Sequence, residues 1–317
     1  MGAAESAVSR KNIALSERGQ PMLALQVQRP GLLAPAAHAA GDVVYVHGAT
    51  FGADLSVFYR FDGRSWADAL NDVGLAVWGF DFAGYGRSER SLADPERPAG
   101  RIGDAVAQLE RVVAAVRGRN GDRPVCLVAH SWGGAVAARY AGLYPRDVKA
   151  LVLFAPIVAR APRAAPASAA ALPPYLPVTL WAQYRRFVED VPRGAPQVLS
   201  EPHFEAWGAA WLASDPQAAE RVPPSVAVPA GPLADIGAML SGQALYDPSL
   251  VVAPTLLVRG EWDSLCTDAD AQRLLSALGA AVREDAKIER ATHLAHLELQ
   301  RTVLHDRVNR FLERAAR

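Results

Sequence analysis

Cysteine is nearly missing. Cys126 and Cys266 are the only two in 317 residues, too few for a disulfide framework or a cysteine-based zinc site. An excess of either charge is missing as well. The 33 basic side chains match 33 acidic ones, which argues against a nucleic-acid binder held by a strong basic field. No apolar run approaches the roughly 18 residues that span a bilayer. No continuous apolar segment precedes Arg10-Lys11, so no secretory signal is read. Residues 1–6 do fit the loose M-G-x-x-x-S myristoylation pattern. With nothing else pointing to an anchor, a frayed small-residue terminus on a cytoplasmic protein without a stable membrane anchor is expected. The seven histidines form no cluster with ligand spacing, so no metal site is expected.

What is present is half hydrophobic, ample for a large buried core. Short apolar runs alternate with longer helical stretches, the pattern of an α/β domain with a mainly parallel sheet. Strands are expected at 22–28, 42–46, 75–80, 125–129, 149–154, 255–258 and, more weakly, 281–288. Helices are expected at 102–116, 133–143 and 302–312. In the first of these Ile102, Val106, Leu109, Val113 and Val116 recur at helical spacing. The stretch from about 157 to 252 breaks the rhythm. It holds Pro173-Pro174, Pro223-Pro224, Trp181, Trp207 and Trp211. Its aromatic content argues for a packed insertion rather than a solvated linker. The core is therefore expected to comprise 1–156 and 253–317, with 157–252 a helical cap. The Ala/Pro-rich tract 159–171 reads as a surface loop.

One motif carries a definite chemistry. Val125-Cys126-Leu127-Val128-Ala129-His130-Ser131-Trp132-Gly133-Gly134 runs a strand into a tight turn with serine at its tip and a helix behind it. That is the context in which a nucleophile elbow exposes a serine hydroxyl above a sheet. Strand and helix approach closely there, so small residues are needed two before and two after the serine. Gly133 meets the need, and Ala129 departs from glycine by one methyl group. On this pentapeptide alone, a serine that merely caps a helix is the competing reading.

Two further segments widen the match. Val44-Tyr45-Val46-His47-Gly48-Ala49-Thr50 ends one strand, and Trp78-Gly79-Phe80-Asp81-Phe82-Ala83-Gly84-Tyr85-Gly86-Arg87-Ser88 ends the next. With the elbow, they resemble the α/β-hydrolase superfamily from about residue 20 onward. The resemblance implies an eight-stranded sheet, a cap after the sixth strand, and a Ser–acid–His triad in that order. It makes Ser131 the nucleophile. It places the acid at Asp263, with Glu261 the nearest competitor and Asp268 a helix cap. It places the base at His293, leaving His296 in the next helix, bonded to a backbone carbonyl. Oxyanion donors would be the N–H groups of Trp132 and Ala49. His47, His130, Asp81 and Arg87 become structural.

The implied activity is that of a serine esterase or lactonase without a cofactor. Its expected substrate is a bulky, largely apolar small molecule beneath a cap whose Trp181, Trp207 and Trp211 line the pocket. Two other readings remain. The elbow and the segment Asp263-Ser264-Leu265-Cys266 are also similar to proline iminopeptidases, which act on amides. Glu201 and Glu205 are available there for a substrate amino group, although solvated helix charges explain them as well. The other reading is a non-catalytic ligand receptor on the same scaffold.

Overall fold

The computed structural model describes residues 10–31, 41–90, 94, 96–162 and 172–316. The myristoylation pattern at 1–6 and most of the 159–171 tract lie outside them. The chain folds as β1 (Arg10–Glu17), β2 (Gln20–Gln28), β3 (Gly41–Val46), α1 (Trp66–Asp72), β4 (Leu75–Phe80), α2 (Ile102–Asn120), β5 (Val125–His130), α3 (Trp132–Leu143) and β6 (Val148–Phe154). An insertion follows, with β7 (Tyr175–Thr179), α4 (Leu180–Val188), α5 (Glu201–Ala213), β8 (Ser225–Pro229) and α6 (Gly231–Leu240). The chain then returns through β9 (Thr255–Gly260), α7 (Asp268–Ala277), β10 (Arg283–Ile288) and α8 (Arg301–Ala316).

Eight strands form one sheet in the order β1-β2-β4-β3-β5-β6-β9-β10. The β1–β2 and β2–β4 pairs are antiparallel, and the remaining pairs are parallel. All six residues of β5 are buried, as a strand covered on both faces requires. Alternate residues feed two cores. Val44, Leu127 and Leu153 pack with Leu109 of α2 and Val136 of α3. Val43, Val128 and Val152 pack with Leu70 of α1 and Phe311 of α8. Helices thus cover both faces and leave the C-terminal ends of β3, β4, β5 and β9 together at one rim.

The insertion follows the sheet's sixth strand, but it is not purely helical. β7 and β8 pair antiparallel from Tyr175↔Pro229 to Thr179↔Ser225. Pro177 and Pro229 lie in these five-residue strands, and proline in a short run hides a strand from sequence reading. The insertion is fastened to the core by two indoles of α5. Trp207 Nε1–H donates to the Leu55 carbonyl at 2.9 Å, and Trp211 Nε1–H to the Thr50 carbonyl at 3.2 Å. Both rings are buried and stack on each other.

Candidate active site

The turn between β5 and α3 puts Ser131 at φ 57°, a conformation a side-chain-bearing residue rarely adopts outside over-determined sites. The surroundings supply that constraint. Ser131 N–H donates to the Phe154 carbonyl at 2.9 Å. A Cβ at Gly133 would stand 2.3 Å from the His47 carbonyl oxygen, so helix and β3 meet only over glycine. The extra methyl of Ala129 is fully buried in the core.

The ends of three strands bring the predicted side chains together. His293 Nε2 lies 2.8 Å from Ser131 Oγ. His293 Nδ1 lies 3.0 and 3.1 Å from the two oxygens of Asp263. The pairing fixes the proton arrangement: Nδ1–H donates to the carboxylate, and the serine hydroxyl donates to Nε2. Burial opposes charge on Asp263, but His293 and the N–H groups of Cys266 and Leu265 outweigh it. They hold the carboxyl below its ordinary range. Glu261 is exposed and accepts from Arg290 N–H. Asp268 does not cap α7. Thr267 does, in a capping box with Asp270, while Asp268 pairs with Arg259 and Lys287.

His296 differs from its expected state. It sits in a short 3-10 helix, Ala295–Leu297, and neither ring nitrogen has a hydrogen-bond partner. Its ring is packed against His130, Phe154 and Phe51, a wall of rings that leaves no carbonyl in reach. Burial holds it, like His130, well below the ordinary histidine pKa. His130 Nε2–H donates to the His293 carbonyl at 3.0 Å. His47 donates from Nδ1 to the Gly48 carbonyl at 2.8 Å and accepts from Phe82 N–H at 2.9 Å. Its pKa is depressed to about 4 by burial.

Trp132 opens α3, so its N–H is one of those without an intrahelical acceptor. Ala49 follows Gly48 at the end of β3, and Tyr85 O–H pins the Ala49 carbonyl at 2.6 Å. Asp81 accepts from Ala53 and Arg87 N–H. Its carboxyl is pushed up to about 6 by burial. Arg87 reaches outward to Asp54 and Asn12. Glu298, five residues after His293, is a buried carboxyl that accepts from Thr292 N–H at 3.0 Å and from its hydroxyl. It is pushed up to about 7 by burial and braces the residue before His293.

A cavity of about 510 Å³ begins one residue beyond Ala49, at Thr50 and Phe51. Leu55, Val226 and Val228 give it apolar walls, and Arg87 and Arg90 line it as well. The three expected pocket tryptophans do not line it. Trp181 is 67% exposed, stacked on Tyr184 at the surface. Trp207 and Trp211 are consumed by packing and by the two carbonyl bonds above. Glu201 and Glu205 are exposed. Among the described residues, no group of three His, Cys, Asp or Glu could hold a metal, and no helix is long and apolar enough to cross a membrane.

The family model described as serine aminopeptidase, S33, matches residues 37–300. The chain belongs to this α/β-hydrolase family. It is 36% identical over 138 residues to lipase LipV of Mycobacterium tuberculosis, covering 43% of this chain and 42% of that one. It is 31% identical over 126 residues to the abhydrolase domain-containing protein abhd-5.2 of Caenorhabditis elegans, covering 38% and 24%. The matched part of the chain thus spans less than half the length of these curated relatives. Among solved structures, the hydrolase resembles an esterase from Exiguobacterium antarcticum with a TM-score of 0.64, 14% identity, and coverage of 96% and 100%. It also resembles the thioesterase domain from the curacin biosynthetic pathway, with a TM-score of 0.61, 17% identity, and coverage of 95% and 99%. These likenesses establish a shared fold.

Proposed function

We propose that this hydrolase cleaves a carboxylic ester or lactone of a bulky, largely apolar small molecule through an acyl-enzyme. The observation that carries the reading is the 2.8 Å contact from Ser131 Oγ to His293 Nε2, with Asp263 on the other ring nitrogen. Ser131 Oγ attacks the carbonyl carbon as His293 takes its proton. The C–O bond to the alcohol breaks, and His293 passes the proton to that oxygen. Water then attacks the acyl-enzyme, with His293 again the base, and frees the acid and Ser131. The N–H groups of Trp132 and Ala49 bear the oxyanion. Residues 157–252 act as the cap, and the 510 Å³ cavity against it takes the larger part of the substrate.

A second reading, amide or aminoacyl-amide hydrolysis, is favoured by the serine aminopeptidase description of the family. It needs a carboxylate free to hold an ammonium group. Of the three carboxylates lining the cavity, Asp54 and Asp215 are already paired with arginines, and Asp81 accepts from two backbone N–H groups and is pushed up to about 6 by burial, so the ester reading stands first. A non-turnover receptor would have no use for the Ser131–His293–Asp263 chain of bonds.

The test is a panel of esters, lactones, thioesters and aminoacyl amides, run on wild type and Ser131→Ala. Ester turnover should be lost by on the order of a millionfold in kcat in the variant, with the thermal melt unchanged. A serine-directed phosphonate should label Ser131. Activity retained by Ser131→Ala would remove the covalent mechanism, and a strong preference for aminoacyl amides would transfer the assignment to the second reading.

A further inference from the structure

Asp235 lies on α6 in the insertion, yet its fully buried carboxylate faces the core. Three donors converge on it from elsewhere in the chain. Arg101 Nε–H donates to one oxygen. Ile102 N–H and Trp132 Nε1–H donate to the other, at 2.7 and 3.2 Å. The first two make a helix cap. The 19-residue α2 has Arg101 at its N-cap position, which offers no capping side chain, so a residue of the insertion supplies the anion that a helix N-terminus favours. The docking is close: Gly231 N–H donates to the Ala99 carbonyl at 2.7 Å, and a Cβ at Gly231 would stand 2.3 Å from that oxygen.

The third bond is different in kind. Trp132 follows Ser131, and in the reading above its N–H is an oxyanion donor. Its direction depends on the backbone of a turn held at φ 57°, which keeps that shape only while its surroundings enforce it. On one side, the Trp132 ring meets Phe82 edge-on at 5.4 Å, and Phe82 is tied to His47. On the other side, the indole N–H is held by the Asp235 carboxylate. We propose that Asp235 is a positioning residue that makes the seating of α6 a condition for a correctly aimed Trp132 N–H. The inference rests on the serine-hydrolase reading and adds to it a coupling between cap and oxyanion site. A substrate or ligand that lifts α6 away lowers the rate without touching Ser131, His293 or Asp263.

The experiment measures kcat, KM and thermal melting with p-nitrophenyl butyrate for wild type, Trp132→Phe, Asp235→Asn, the double variant, Arg101→Gln and Ser131→Ala. Trp132→Phe removes the indole N–H and keeps the backbone N–H and a ring of similar shape. It and Asp235→Asn should each lower kcat about tenfold with KM within about twofold, the pattern of an interaction felt in the transition state. The double variant should lose no more than either single one, because both break one bond. Arg101→Gln weakens the clasp but leaves the Trp132 bond, so it should lower the melting temperature with kcat nearly unchanged. Melting shifts without a kcat change in Trp132→Phe and Asp235→Asn would reduce Asp235 to a structural clasp. Additive losses in the double variant would also overturn the coupling. If Asp235→Asn fails to fold, Trp132→Phe decides alone. Retained turnover in Ser131→Ala would overturn the underlying reading and this inference with it, whereas an inactive Ser131→Ala beside unaffected Trp132→Phe overturns the inference only.

Discussion

His293 and His296 are three residues apart and equally buried, and they differ in what their nitrogens touch. One has a hydroxyl on one side and a carboxylate on the other. The other has neither donor nor acceptor. Replacing His293 by alanine should therefore cost kcat about as much as Ser131→Ala, while His296→Ala should keep kcat within about tenfold. The reverse ranking, measured on the same ester, would transfer the base to His296. Asp263→Asn tests the tautomer separately. An amide can donate to Nδ1, which would then have to accept, putting the proton on Nε2 and facing it to the serine. A kcat loss of about 10⁴ with unchanged melting is expected. Loss of the fold instead would show that the carboxylate serves the Leu265–Cys266 turn more than the histidine.

At the scale of elements, the elbow works because a helix and a strand meet over one hydrogen atom. Gly133→Ala should destabilise the protein by about 1–3 kcal/mol or more, since its Cβ meets backbone that cannot rotate away. Ala129→Gly, on the opposite side of the turn, should cost about 1–2 kcal/mol through chain entropy and the lost burial of one methyl group and leave kcat nearly intact. Stability and kcat both unchanged in Gly133→Ala would mean that the close approach at Gly133 is not what shapes the turn. The same elements show what a sequence discloses. Strands β3 to β6 and β9 were legible because burial on both faces leaves continuous apolar runs. β1 was not, since only Ile13 and Leu15 of this largely exposed strand pack against the core. β7 and β8 were hidden by their prolines. Ser131, Asp263 and His293 could be named as candidates because the resemblance to α/β-hydrolases ties each role to the stretch after a particular strand. Trp181, Trp207 and Trp211 could not be sorted, because aromatic content says nothing about which way a ring faces. Thr267 lost to Asp268 as the helix cap for a related reason: adjacent capping residues differ only in where the helix starts.

For the whole molecule, six buried titratable groups shape the response to pH between about 5 and 8. His47, His130, His296 and His305 are all lowered by burial, His47 to about 4 and His305 to about 3. The unfolded chain binds four protons below about pH 6.5 that the folded protein refuses. The stability these histidines contribute is present above that pH and lost as pH falls. Asp81 and Glu298 act in the opposite sense, since the folded protein keeps their protons up to about 6 and 7. Near pH 5.5 unfolding should therefore take up roughly two protons net, and stability should fall by about 2–3 kcal/mol per pH unit on acidification. Above about pH 8 these six groups carry nearly the same charge in both states, so their contribution levels off. Denaturant midpoints taken from pH 5 to 8 check this. A rise in stability on acidification would mean that the carboxyls outweigh the histidines.

The two indole bonds of α5 bear on how such a protein can be recombined. They end on the carbonyls of Thr50 and Leu55, in the loop that begins at Ala49. An insertion transplanted from another hydrolase would bring its own ring pattern and leave those two acceptors without donors, beside the segment proposed to hold the oxyanion. Modular exchange should therefore succeed only when the donor lid and the recipient loop travel as one cassette, roughly residues 47–55 together with 201–213.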